Sequence, residues 1–181
     1  SLLEDNNKES HGFFYSLNRK VLMPRKKGAR FIAFEGLEGS GQSTQAGLIR
    51  DYLEERGVDI LLTKEPTIVS GAGQRAVSAL NREISISSKE LQELFAEDRK
   101  EHLRRVIMPA LEEGRTVISD RYFFSSFAYG SIDCKLKWLM RINGDFIFPD
   151  AVFILSAPPA VCYNRIIGRH SGFQFFEERE K

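Results

Sequence analysis

The stretch Phe31 to Thr44, FIAFEGLEGSGQST, constrains this chain more than any other. An apolar strand runs straight into a glycine-rich turn, and the turn runs into a helix. That order suits a loop whose backbone N–H groups curl around phosphate oxygens, because side chains larger than hydrogen obstruct the curl. Gly36 and Gly41 stand at the glycine positions of G-x-x-x-x-G-K-[S/T], Gly39 lies between them, and Ser43 holds the hydroxyl position. Gln42 stands where lysine is usual. The helix starting near Gln42 adds its unpaired N–H groups and the positive end of its dipole, neither of which needs lysine. A tight strand-to-helix turn with no ligand is the plain alternative. A dinucleotide-binding G-x-G-x-x-G fits less well, since no third glycine follows Gly39 and Gly41 in place.

A chain of 181 residues with 42% hydrophobic content is long enough for one well-buried domain and short for two. The net charge of +1 gives no general argument for a nucleic-acid partner, but it is unevenly placed. Residues 1 to 30 carry seven Lys or Arg against three Asp or Glu. Residues 1–29 therefore read as a basic, flexible tail and residues 30–181 as the domain. The run Arg25, Lys26, Lys27, Arg30 reads as a solvated arm, with no recognition motif for nucleic acid beside it. Cys134 and Cys162 are far apart and lack metal-ligand spacing, which suggests neither a disulfide framework nor zinc and fits a reducing cytoplasm. No apolar run approaches a membrane span, and the N-terminus lacks the apolar core of a secretory signal.

From residue 31 onward short apolar runs alternate with longer amphipathic segments, the pattern of β-α-β units and a parallel sheet in an α/β fold. Strands are predicted at 30–35, 58–63, 116–119 and 151–156. Helices are predicted at 42–56, 74–81, 88–112, 121–142 and 158–168, with Ser87 or Ser88 capping the third. The closing stretch FQFFEEREK reads as the start of a further helix that continues beyond Lys181. In such folds ligands sit where the carboxyl ends of the strands meet the loops.

The third strand ends in Ser119-Asp120-Arg121-Tyr122, which places a carboxylate and a guanidinium at that edge. Asp120 can hold a magnesium-bound water or position an attacking oxygen, and Arg121 can grip a phosphate; a surface ion pair is the bland reading. On the helix 88–112, Phe95 and Arg99 share a face one turn apart, suited to stacking a base and bonding its carbonyl, or to plain core packing. His102 reads as a packed or surface histidine. Arg165, Arg169 and His170 form a polar cluster that could close over phosphates.

Together these residues resemble thymidylate kinase in its bacterial form over about residues 30 to 181. The motifs that carry the resemblance are FIAFEGLEGSGQSTQ, TKEPT, LFAEDRKEHL, SDRYFFSSFAYG, and FPDAVFIL followed by an arginine-bearing lid and a Phe-Glu pair. The resemblance implies a P-loop kinase sheet, transfer of the γ-phosphoryl of ATP to thymidine monophosphate with magnesium (Mg2+), and a homodimer. It implies that the backbone from Glu38 through Gly39, Ser40, Gly41, Gln42 and Ser43 to Thr44 cradles the donor phosphates, with Ser43 reaching magnesium. It further implies Asp120 at the transfer centre, Arg121 on the acceptor phosphate, Glu38 near the 3′-hydroxyl, and Lys64 on the acceptor side. Phe95 would stack on thymine, Arg99 would bond its O4 carbonyl, Ser125 and Ser126 would lie along the base, and Tyr129 would crowd the 2′ position. The chain departs from the family in Gln42 for lysine, in Lys64 for arginine, and in stopping before the final strand and C-terminal helix. With Gly39 in place of a basic loop residue, compensating charge is expected from Arg165 and Arg169. A non-catalytic nucleotide-binding relative and a deoxynucleoside kinase are the competing readings.

Overall fold

The computed structural model of the chain describes residues 25–168. Arg169, His170, most of the N-terminal tail and the closing FQFFEEREK segment lie outside the described residues. Four strands, β1 (Phe31–Gly36), β2 (Ile60–Lys64), β3 (Thr116–Asp120) and β4 (Ala151–Leu155), form a parallel sheet in the order β2-β3-β1-β4. Side chains alternate across each strand, and both faces are used. Phe31, Ala33 and Val117 face one apolar cluster with Leu103, Ile107 and Leu111, whereas Phe34 and Ile118 face another with Ala46 and Ile60. That arrangement explains the unbroken apolar runs in the sequence.

Helices cover both faces. They are α1 (Gln42–Glu54), α2 (Gly71–Leu80), α3 (Ser88–His102), α4 (Met108–Glu113), α5 (Phe123–Gly130), α6 (Leu136–Ile142) and α7 (Pro159–Ile167). All four strands fall where the sequence puts them, within two residues at either end. Three helices differ from expectation, each for a local reason. The helix over 88–112 is continuous in path, but a wide π turn at Leu103–Ile107 interrupts its ladder, and Pro109, which has no N–H to donate, follows at once. The span 121–142 is two helices, because α5 closes at Gly130, whose carbonyl accepts from the N–H groups of Asp133 and Cys134. Helix α2 starts at Gly71, ahead of the predicted 74, since Ser70 Oγ accepts from the Gly73 N–H at 2.8 Å and caps it. Ser87, rather than Ser88, caps α3.

Residues 25–30 lie against the body. Asp150 accepts from the Phe31 N–H at 2.7 Å and from Arg25 at 2.6 Å, and Ala29 is buried. The register sets Phe34 and Lys64 beside Asp120, so β1, β2 and β3 end together at one edge. Above that edge, the turn between β1 and α1 is pressed against α7. A Cβ at Gly39, where φ is +78°, would stand 2.5 Å from the Cys162 carbonyl oxygen, so the turn needs glycine on two counts.

The segment after β2 is fastened by one buried carboxylate on α3. Asp98 accepts from the Thr67 N–H at 2.7 Å, Thr67 Oγ1 at 2.5 Å and Ser70 Oγ at 2.6 Å. Asp98→Ala strands three donors and is expected to lower stability by about 2–3 kcal/mol. Urea denaturation checks this; a midpoint equal to that of the parent would show that the segment is held by other contacts.

Candidate active site

A cavity of about 360 Å³ opens beside the carboxyl edge of the sheet, between α2, α3 and α5. Its lining includes Glu38, Lys64, Phe95, Arg99, Arg121, Ser125, Ser126 and Tyr129, so eight residues singled out from four separate stretches of sequence meet in one place. The glycine turn stands next to it and borders a second, shallower hollow with Ser40, Gly41, Thr44 and Arg165.

Asp120 is bonded to the start of α1 and stands next to Lys64 and Arg121 of the cavity lining. Its side chain is almost wholly buried, with Oδ1 accepting from Gln42 Nε2 at 2.9 Å and Oδ2 from Ser43 Oγ at 2.5 Å. The exposed Lys64 ammonium is 3.8 Å from Oδ2. Gln42 thus directs an amide N–H to Asp120, while its Oε1 and the neighbouring Ser40 Oγ are buried without a hydrogen-bond partner among the described residues. Arg165 Nη1 donates to the carbonyls of Gly39 at 3.0 Å and Ser40 at 3.4 Å, which sets a guanidinium against the turn.

Arg121 follows Asp120 with φ +74°, a left-handed conformation uncommon for a residue with a side chain. Its N–H groups reach Glu38 at 3.0 Å, Ser125 Oγ at 3.1 Å and the Gly36 carbonyl at 3.3 Å, and the Tyr129 ring lies 5.7 Å away. Burial alone would lower the Arg121 pKa, but Tyr129, Glu38 and Glu35 raise it on balance. Burial also raises the Tyr129 hydroxyl, against the opposing pull of Arg121.

Sequence reasoning passed over the groups that hold these side chains. Arg99 is 3% exposed: its Nε donates to Glu65 at 2.7 Å, Nη1 to Asn143 Oδ1, and Nη2 to Ser126 at 3.4 Å. The other Glu65 oxygen is 3.1 Å from His102 Nδ1, and His102 Nε2 is 2.7 Å from Thr63. His102 is therefore a packed histidine. The signal for Glu65 was present, because it follows Lys64 directly in TKEPT. A second signal was the lone carboxylate of the buried β1 strand, Glu35, which accepts from the Tyr122 N–H at 2.9 Å and Ser125 Oγ at 2.5 Å. Asn143, in the turn after α6, had no local signal.

A parallel sheet, a glycine turn feeding a helix, and an acidic strand end between that turn and a cavity define a P-loop-type nucleotide-binding domain. The chain belongs to the thymidylate kinase family, whose model matches residues 34–181. It is 40% identical over 157 residues to a probable thymidylate kinase of Thermococcus kodakarensis, covering 80% of this chain and 75% of that one. A thymidylate kinase of Leptospira borgpetersenii is 36% identical over 150 residues, covering 81% and 71%. Among solved structures, thymidylate kinase from Ehrlichia chaffeensis superposes with a TM-score of 0.66 at 30% identity, covering 77% of this chain and 82% of that one.

Burial raises the Glu35 pKa, opposed by the hydrogen bonds from Ser125 and Tyr122 and by the Arg121 charge. A raised carboxyl pKa means that the folded chain holds the proton more tightly than the unfolded chain. This contribution to stability is present below the ordinary carboxylate range and is lost as pH climbs through the raised value. Glu35→Gln removes the titration. Across that window the denaturation midpoint of the parent should therefore fall relative to that of the variant; a constant difference would rule the raised pKa out.

Proposed function

We propose that the chain transfers the γ-phosphoryl group of ATP to thymidine monophosphate, giving thymidine diphosphate and ADP. One observation carries the proposal: Asp120 lies between the glycine turn and a cavity that combines Phe95 with Arg99, as a donor and an acceptor nucleotide would require. The turn suits ATP phosphates, since it offers backbone N–H groups and the Ser40 hydroxyl, which has no hydrogen-bond partner among the described residues. Ser43 Oγ and Asp120 Oδ2 converge as hard oxygen donors, the number a phosphate-borne magnesium ion needs from protein. When bound there, the ion supplies neutralisation of charge on the transferred group.

The chain's own residues position and screen. Arg121, fixed by Glu38 and Ser125, grips the acceptor phosphate, and Lys64 adds charge on that side. Phe95 stacks on thymine, Arg99 donates to its O4, Ser125 and Ser126 lie along the base, and Tyr129 crowds the 2′ position. Glu38 approaches the 3′-hydroxyl. Arg165, with Arg169 beyond it, stands in for the missing lysine. Catalysis is then mainly positioning and charge stabilisation. The working form is a cytoplasmic homodimer; among the described residues no helix is long and apolar enough to cross a membrane.

A coupled ADP-release assay with thymidine monophosphate and with thymidine tests the reaction. Turnover is expected with the monophosphate alone; turnover with thymidine alone would make the chain a deoxynucleoside kinase. Asp120→Asn should lower kcat by about 10²–10³ while nucleotide binding persists, the size of loss seen when one preorganised electrostatic group is removed. Unchanged turnover would move the transfer centre elsewhere.

The neutral Gln42, bonded to Asp120, sets one contrary outcome to test, a binding module that lost catalysis with its lysine. Arg165→Ala distinguishes the two, because an active parent should collapse without this guanidinium, while Gln42→Lys is tolerated or mildly activating. A parent with no phosphoryl transfer, restored by Gln42→Lys, would establish the binding module.

A further inference from the structure

A lysine at position 42 would carry its ammonium to the β- and γ-phosphates of a bound nucleotide. Gln42 leaves that charge out, and its amide turns to Asp120 Oδ1 at 2.9 Å. The other oxygen, Oδ2, has two neighbours: Ser43 Oγ at 2.5 Å and, from the adjoining strand, the Lys64 ammonium at 3.8 Å. The sheet sets this approach. Lys64 closes β2 and Asp120 closes β3, the two are register partners, and the Glu65 N–H donates to the Asp120 carbonyl at 3.0 Å. A cation therefore does stand beside Asp120, delivered by the neighbouring strand and not by the first turn of α1.

Its state differs from that of the other cations around the cavity. Arg99 is bonded to Glu65, Asn143 and Ser126, and Arg121 to Glu38, Ser125 and the Gly36 carbonyl. Lys64 makes no hydrogen bond among the described residues, since its approach to Asp120 is too long to be one, and 62% of its side chain is exposed where it lines the cavity. An ammonium is a compact charge on a flexible four-carbon stem, so it can follow an anion through a displacement that a clamped guanidinium cannot. Arg165 is placed otherwise. Its Nη1 is engaged by the Gly39 and Ser40 carbonyls, and it borders the hollow on the far side of the turn from the cavity.

We infer that Lys64 is a catalytic residue that meets the transferred phosphoryl group on the cavity side and supplies there the charge that position 42 lacks. The inference rests on the assignment of the turn to ATP and of the cavity to thymidine monophosphate. In the transfer an oxygen of the monophosphate forms a bond to Pγ, and the bond from Pγ to the β–γ bridging oxygen breaks, its electron pair leaving with ADP. No proton has to move. The group in flight carries its negative charge between the two nucleotides, and a cation that it meets only there stabilises the transition state over the bound ground state. The work of the missing lysine is divided, with Arg165 on the donor side and Lys64 at the crossing.

The test is a double-mutant cycle on steady-state kinetics of the full chain, with Lys64→Met, an uncharged side chain of similar reach, made in the parent and in Gln42→Lys. In the parent Lys64→Met should lower kcat about a hundredfold. With a lysine at position 42 the same substitution should cost about threefold or less, because the charge is then supplied twice. KM for thymidine monophosphate should change by the same small factor in both backgrounds, and calorimetric titration with ATP reports that each variant is folded. An equal loss of kcat in the two backgrounds would show that Lys64 acts independently of position 42. A change confined to KM would make it a binding group for the acceptor phosphate. Either outcome, like unchanged turnover, overturns the inference and leaves the assignment of the site in place. A parent that transfers nothing until Gln42→Lys restores it shows that Lys64 does not replace the lysine. If neither the parent nor Gln42→Lys phosphorylates thymidine monophosphate, the assignment falls and takes the inference with it.

Discussion

The carboxylate of Asp120 is the junction on which the rest of the site depends. A parallel sheet brings all its carboxyl ends to one edge, and β3, flanked by β1 and β2, delivers Asp120 to the middle of that edge. There it is nearly buried and bonded to two residues of the first turn of α1, so the glycine turn and the sheet are tied at the point where phosphate chemistry would occur. Buried carboxylates are stable only with donors around them, and Gln42 and Ser43 are those donors. The substitution of glutamine for lysine fits this environment. The amide makes a hydrogen bond to Asp120 but brings no charge, and a guanidinium from α7 lies against the turn, where Arg165 donates to the carbonyls of Gly39 and Ser40.

A second buried carboxylate governs the cavity. Glu65 stands at the end of β2 and accepts from Arg99 and His102 of α3, while Asp98, one residue before Arg99, fastens Thr67 and Ser70. The loop after β2 and the helix that faces the cavity are therefore one rigid unit. Breaking a buried pair of this kind by removing one partner is far costlier than replacing both, because the remaining charge is left without solvent. Arg99 is held on three sides, so the direction of its guanidinium beside the cavity is set by protein partners alone.

How much of this was legible in the sequence depends on the length scale of the signal. Strand positions, the glycine turn and the helix face with Phe95 and Arg99 are local patterns, and each was readable within a window of a few residues. The break between α5 and α6 was not, because Gly130 serves as a helix end only through the hydrogen bonds that Asp133 and Cys134 return to its carbonyl. The Arg99 clamp was less legible still. Glu65 and Asn143 are 34 and 44 residues from Arg99 in sequence; Glu65 is marked only by its place in TKEPT, and nothing local distinguishes Asn143 from other polar residues in turns.

Glu35 shows how a long-range role can still leave a local trace. A carboxylate inside an apolar strand is costly unless the fold provides donors, so its presence between Phe34 and Gly36 already implied a polar structure packed against that face of β1. The donors turn out to be the N–H of Tyr122 and the side chain of Ser125, just after Asp120 and Arg121. One strand thus fixes the start of the next structural unit: Glu35 holds the turn that aims Arg121, and Arg121 in turn engages Glu38 and the Gly36 carbonyl back in the glycine turn. The loop of contacts is closed. It ties the glycine turn to the segment that follows β3 through three residues, Glu35, Gly36 and Glu38.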